Sequence, residues 1–565
     1  MQAPIASRSA ALIGTCALGL LALWLISCGG GNDTSSNSST SSTGASSSSS
    51  GSSTTGGNTT FGTDVLMYHN DVMRTGQNLT ETTLTPSNVN SSSFGLLRML
   101  SADDPVDATP LIVSALTVNG SQRNVVYVET EHDSVYAYDG DSGALLATVS
   151  LLGANETPSD TRSCDQVEPE IGITATPVID RSVGAHGALF VVAMSKDNDG
   201  NYHQRLHALD LVSLDDLFAP AVIAATYPGS GENSANGVQT FDPAQYKERG
   251  ALLLLAGQIY TVWASHCDHE PYNGWIISYN ETALTQTAVL NFTANGEEGA
   301  IWDATGLAAD SNGALYALAG NGTFDTTLNA TGFPGQSDYG NSAIKLSVSG
   351  STLSVSDYFT TTSTVSESAA DVDLGSGSLL ILPDQVDATG HTQHLLIGGG
   401  KDGNFLLLNR DNLGKFNPNG NSVYQALNGA LPGGLYSAPA YFNGSVYVAD
   451  VGGTLKAFTL SQALLSASPS SQSSAQFGYP GTSPAISANG ATNAIVWAVL
   501  SSTNGAAVLH AYNPENLTQE YYNSTQAANN RDAFGNGEKF ITPVIANGKV
   551  FVGTPSGVAV FGLLR

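Results

Sequence analysis

SAPAYFNGSVYVAD at 437–450, followed by TLKAF at 454–458, decides how this chain folds. A small, proline-bearing opener leads into an apolar strand. Asn443-Gly444 suits a two-residue hairpin turn, because both residues reach positive φ. A second apolar strand follows, then a third. The pattern recurs as TPLIV (109–113) with NVVYVET (124–130) and SVYAYD (134–139), and as ITPVIANGKVFVGT (541–554) with GVAVFG (557–562). Aligned on the proline position, the copies are anchored at Pro110, Pro177, Leu252, Gly306, Ser378, Pro439, Pro484 and Pro543. One copy leaves the faces of its small sheet uncovered, whereas copies stacked around an axis cover one another. The expectation is an all-β, eight-bladed β-propeller of four-stranded antiparallel blades. The last copy holds only three strands. FGLLRMLS at 94–101 precedes the first opener and has no other partner, so it is expected to supply the fourth strand and leave no open edge.

The N-terminus carries Arg8 and an apolar run from Ala10 to Ile26, short for a membrane span of ~20 residues. The run ends in Leu25-Ile26-Ser27-Cys28, which resembles a bacterial lipobox, where cleavage precedes a cysteine that takes lipid. Residues 1–27 therefore read as a lipoprotein signal peptide and Cys28 as the lipidated residue; an ordinary signal peptide or a simple anchor is the alternative. Residues 28–60 are almost all Gly, Ser, Thr and Asn and cannot bury enough apolar surface to fold, so a flexible tether is expected. Residues 61–565 are the propeller. The expected place is the bacterial cell envelope, lipid-anchored, facing the periplasm or the exterior. The expected partners are the membrane, through the anchor, and an envelope protein or a saccharide. A net charge of −29 makes nucleic acid a poor partner. A monomer is expected. Of four cysteines, Cys164 and Cys267 remain once Cys16 and Cys28 are assigned, and in an oxidising compartment they most simply pair. A thiolate beside His266 is the alternative, but neighbours in sequence do not by themselves supply that geometry.

MYHNDVMRTGQN at 67–78 and LTPSNV at 84–89, with the repeat forms SVYAYDGDSG at 134–143 and RLHALDL at 205–211, resemble the pyrroloquinoline-quinone-type (quinoprotein dehydrogenase-like) eight-bladed propellers. The resemblance implies pyrroloquinoline quinone and calcium as cofactors and dehydrogenase chemistry; the residues themselves name no cofactor. The chain departs from those dehydrogenases in several places. No tryptophan follows the turn at Asp141-Ser142-Gly143, no adjacent cysteine pair is present, and no Cys-x-x-Cys-His haem site occurs. The readings carried forward are a ligand- or protein-binding module, a divergent quinone-dependent dehydrogenase, and a structural part of an envelope assembly.

Ligands in propellers usually sit where the innermost strands begin. The residues three before each anchor are Asp107, Thr174, Arg249, Asp303, Gly375, Tyr436, Gly481 and Phe540. Asp107, Arg249, Asp303 and Tyr436 form the candidate axial ligand-binding ring, able to hold a cation, a sugar or a carboxylate. The loops CDQVEPEIG (164–172) and WASHCDHEPYNGW (263–275) add Glu168, Glu170, His266 and His269 as rim candidates. One His-x-x-His without a third spaced ligand is a poor zinc signature. DNDGN at 197–201 lacks the twelfth-position glutamate of a calcium loop, which is Leu209 here, and reads as a hairpin turn. No catalytic residue is assigned.

Overall fold

The computed structural model describes residues 62–501 and 505–565. The expected signal peptide, Cys28 and tether lie outside the described residues. The rest forms eight antiparallel blades. Blade 1 runs Leu111–Val118, Ser121–Glu129, Ser134–Asp139 and Leu145–Ser150 from the axis outward. The innermost strands of blades 2 to 7 are Val178–Asp180, Leu253–Leu255, Ala308–Ala309, Leu380–Ile381, Ala440–Phe442 and Ala485–Asn489. Blade 8 takes Val544–Ala546, Lys549–Thr554 and Gly557–Leu563 from the C-terminus, and its outer strand is Phe94–Ser101, as expected. That pairing is antiparallel from Phe94 opposite Leu563 to Ser101 opposite Gly557.

Among the described residues the apolar side chains collect between blades rather than in one central core. Strand residues alternate sides with period two, so each sheet feeds two interfaces. Leu111 and Val113 pack towards blade 2 with Ile179, Leu189 and Val191, while Ile112 packs towards blade 8 with Val544 and Phe551. At the closure, buried Phe94 meets Trp497, Tyr522 and Phe561 at ring-centroid distances of 5.5, 4.9 and 6.3 Å.

The axis is filled by an entry segment, residues 65–78. Val65 exchanges backbone hydrogen bonds with Ile112 of blade 1. The carbonyls of Leu66, Val72, Met73, Thr75 and Gly76 accept from Ile179, Ala309, Ile381, Tyr441 and Ile486, in blades 2, 4, 5, 6 and 7. Asn78 Nδ2 donates to the Ile545 carbonyl of blade 8 (2.8 Å). Arg74, fully buried, donates to the carbonyls of Tyr68, Leu252 and Leu307 and so reaches the start of blade 3. These bonds satisfy inward-facing backbone groups that would otherwise be orphaned. His69, stacked on Tyr68, bonds the Arg74 carbonyl, and Asp71 accepts from Thr75; both hold the turn of this segment.

Candidate functional site

Above the entry segment the axis opens into a cavity of about 310 Å³. One wall is aromatic. Trp302, Tyr436 and Tyr479 follow one another along it, and Phe540, which lines the smaller cavity, continues the row, with centroid spacings of 6.2, 5.4 and 5.9 Å; the four precede blades 4, 6, 7 and 8. Lys247, Arg249 and Lys401 bring positive charge to the same space. The guanidinium of Arg249 lies 3.9 Å from the Phe540 centroid and 5.7 Å from that of Trp302, and the Lys401 ammonium lies 5.9 Å from Trp302. Such cation–ring contacts strengthen where water is excluded.

The cations differ in their surroundings. Lys401 is paired with Asp371 (2.5 Å) and Asp373 (2.7 Å). Burial opposes its charge, but the two carboxylates more than offset that and raise its pKa. Arg249 has no hydrogen bond or ion pair from the described residues, and burial lowers its pKa. Lys247 also lacks both, and it is only 2% exposed. Burial and the charge of Arg249 push its pKa down to about 7. It sits here because Lys247–Glu248 prolongs the sheet of blade 3, with Lys247 opposite Ala264.

Beneath Arg249 a smaller cavity of about 30 Å³ is lined by Tyr68, Asp107, Thr174 and Phe540. Burial raises the pKa of Asp107 and raises that of the neighbouring Glu131 well above the usual range. Two carboxyls in contact hold a proton between them rather than two charges.

Asp107, Arg249 and Tyr436 line these cavities, but Asp303 lies off their ring. In blade 4 the first strand begins one residue later than Gly306 implies. Gly306, at φ +63°, is the turn, and Leu307 is the equivalent of Pro110. The ring position is therefore Ala304. The Asp303 carboxylate instead accepts from the Thr305 amide (2.9 Å), and burial raises its pKa to about 7. Blade 5 shows the same one-residue offset, with Leu379 in place of Ser378. None of Glu168, Glu170, His266 and His269 lines either cavity. Glu170 bonds His132. Glu168 and His269 are exposed. His266 is buried with both ring nitrogens unpartnered, and burial lowers its pKa to about 3. Their loops do meet the mouth, through Gln166, Cys267 and Asp268. The Cys164–Cys267 disulfide joins them, with Cα atoms 5.4 Å apart.

Sequence reasoning missed Lys247, Trp302 and Tyr479. Each lies five residues before its corrected anchor, Leu252, Leu307 or Pro484. Extended backbone returns to the same side every second residue, so the ring at minus three implies a second ring at minus five.

No protein-family model matches the chain, and no curated protein matches it. Solved structures do. A quinohemoprotein alcohol dehydrogenase from Comamonas testosteroni is 14% identical, covering 89% of this chain and 81% of its own, at a TM-score of 0.57. A quinohemoprotein alcohol dehydrogenase from Pseudomonas putida HK5 is also 14% identical, with 88% and 80% covered and a TM-score of 0.56. A europium-containing methanol dehydrogenase is 11% identical, with 88% and 98% covered and a TM-score of 0.54. The cofactors implied by that fold can be tested against this cavity. Arg249, which no carboxylate pairs, stands beside the aromatic wall and fits a flat carboxylate such as the quinone. Among the described residues no three His, Cys, Asp or Glu side chains converge as metal ligands. The chain has the eight-bladed propeller fold of the quinoprotein dehydrogenases.

Proposed function

We propose that this protein is a ligand-binding propeller that takes a flat, anionic small molecule at its axial mouth. The observation that carries the reading is Arg249, without a carboxylate partner among the described residues, at an aromatic-walled cavity in a chain of net charge −29. Acidic surface elsewhere repels an anion, so an unneutralised cation in a concave place marks where one binds. Arg249 has no carboxylate of its own to neutralise it, which leaves its donors for a ligand carboxylate. We infer that it acts as a monomer held in the bacterial cell envelope by lipid on Cys28. Loss of detergent-phase partitioning in C28S tests that placement.

The test of binding is titration with pyrroloquinoline quinone and with terephthalate, read by Trp302 fluorescence. Trp263, Trp275 and Trp497 are buried, whereas Trp302 is partly exposed at the site. Saturable quenching that R249A weakens supports the reading; an unsaturable response to both compounds overturns it.

The second reading, a divergent quinone-dependent dehydrogenase, is favoured by the fold it shares with the alcohol and methanol dehydrogenases. Dye reduction by a primary alcohol with quinone and calcium added supports it, and binding without turnover favours the first reading.

A further inference from the structure

We propose that Lys247 captures its ligand covalently, forming an imine with a flat aldehyde, ketone or quinone that also carries a carboxylate. This rests on the mouth being the ligand site proposed above and names the chemistry of that ligand.

The chain has eight lysines, all among the described residues. The amino groups of seven donate to a carboxylate or a carbonyl. Lys196, Lys401, Lys456 and Lys549 are paired with Asp160, Asp371 and Asp373, Asp450 and Asp141. Lys345, Lys415 and Lys539 donate to the carbonyls of Arg410, Thr331 and Asp165. Lys247 alone has no such partner, yet it is the most deeply placed at the cavity, 2% exposed. A buried ammonium without a counter-charge is costly, so a buried lysine left unpaired at a cavity wall is better suited to act as a neutral amine. A pKa of about 7, caused by burial and the adjacent Arg249, agrees with that geometry. A desolvated amine next to a second cation is a recognised form of activated nucleophile.

The neighbours supply the rest of the recognition. Arg249, two residues on, faces the same cavity and offers donors for the carboxylate. Trp302 and Tyr436 offer ring faces for a flat ligand. Lys401 stays protonated between its aspartates and does not compete.

The step balances without an oxidant. The Lys247 nitrogen lone pair attacks the carbonyl carbon, a C–N bond forms, and the carbonyl oxygen takes a proton from the nitrogen. A second proton from nitrogen leaves with that oxygen as water, giving C=N. Ligand plus amine becomes imine plus one water, and the reaction is reversible.

The test uses para-carboxybenzaldehyde as the probe, with borohydride reduction and peptide mapping of the wild-type protein. The expected result is on the order of tenfold more reduced adduct on Lys247 than on any other lysine. Terephthalate, which has carboxylates and no aldehyde, should suppress that labelling. Lys247→Met should lose the adduct, with the remaining lysines labelled no more than in wild type. Terephthalate binding with no Lys247 adduct overturns the imine and leaves the binding site standing. Label spread evenly over the lysines also overturns it. Absence of both binding and adduct overturns both proposals.

Discussion

The guanidinium of Arg249 stands 3.9 Å from the ring centroid of Phe540, and the two residues come from opposite halves of the sequence. A ring face holds the cation in place without neutralising it. R249A should therefore weaken binding of terephthalate or the quinone by on the order of tenfold or more while leaving the melting temperature close to wild type. Phe540→Ala should keep the charge but loosen its position, giving a smaller loss of affinity. Calorimetric titration of both variants checks this; equal affinities in all three proteins would count against a ligand role for Arg249.

Glu129 ends the second strand of blade 1 fully buried, and neither carboxylate oxygen has a partner. Burial pushes its pKa up to about 8. The unfolded chain ionises this group above about pH 4.5, while the folded chain keeps it protonated. Its presence therefore lowers stability progressively as pH rises from about 4.5 to about 8, with no further change above that. E129Q should match wild type near pH 4.5 and exceed it by up to ~3 kcal/mol at pH 7. Denaturant titrations at several pH values measure the difference.

Phe94 is the aromatic anchor of the strand that completes blade 8. F94A should cost about 3–5 kcal/mol, as truncation of buried aromatics does. Removal of residues 94–101 should abolish a single cooperative melt for the whole domain, because it leaves both blade 8 and its interface with blade 7 open. Calorimetry with limited proteolysis distinguishes global loss from fraying confined to one blade.

The Cys164–Cys267 bond closes a loop of 103 positions. On the chain-entropy account its removal costs up to ~4–5 kcal/mol. Because Gln166 and Cys267 line the mouth, the C164S/C267S double variant should lose ligand affinity as well as stability. An unchanged titration with a lowered melting temperature would assign the bond to stability alone.

The blades were legible because their signal is local. Each opener, hairpin turn and apolar alternation lies within one copy, and even the closure strand stood out as an apolar stretch with no partner. The disulfide followed from counting. The site was less legible because it depends on register between copies. Gly306 and Ser378 resembled openers, yet the strands of blades 4 and 5 begin one residue later, and one residue turns a side chain away from the axis. That is how Asp303 took the place of Ala304. The buried carboxyls Glu129, Glu131 and Asp133 were invisible as well, since ETEHD at 129–133 reads as an ordinary polar turn. Whether Arg249 meets a carboxylate or a ring is set by chain segments far apart in sequence, and no periodicity reports it.

The entry segment binds the inner strand of seven blades directly and reaches the eighth through Arg74. A ribosome releases that hub first and the strand 557–563 last. Early blades can collapse in pairs as they emerge, but the hub finds all its acceptors only after synthesis ends. The nascent chain thus carries residues 94–101 without their partner strand for nearly its whole translation, open to holding chaperones and to proteases. A stop codon one strand early would leave residues 94–101 without the strand they pair with, and blade 8 with an open edge.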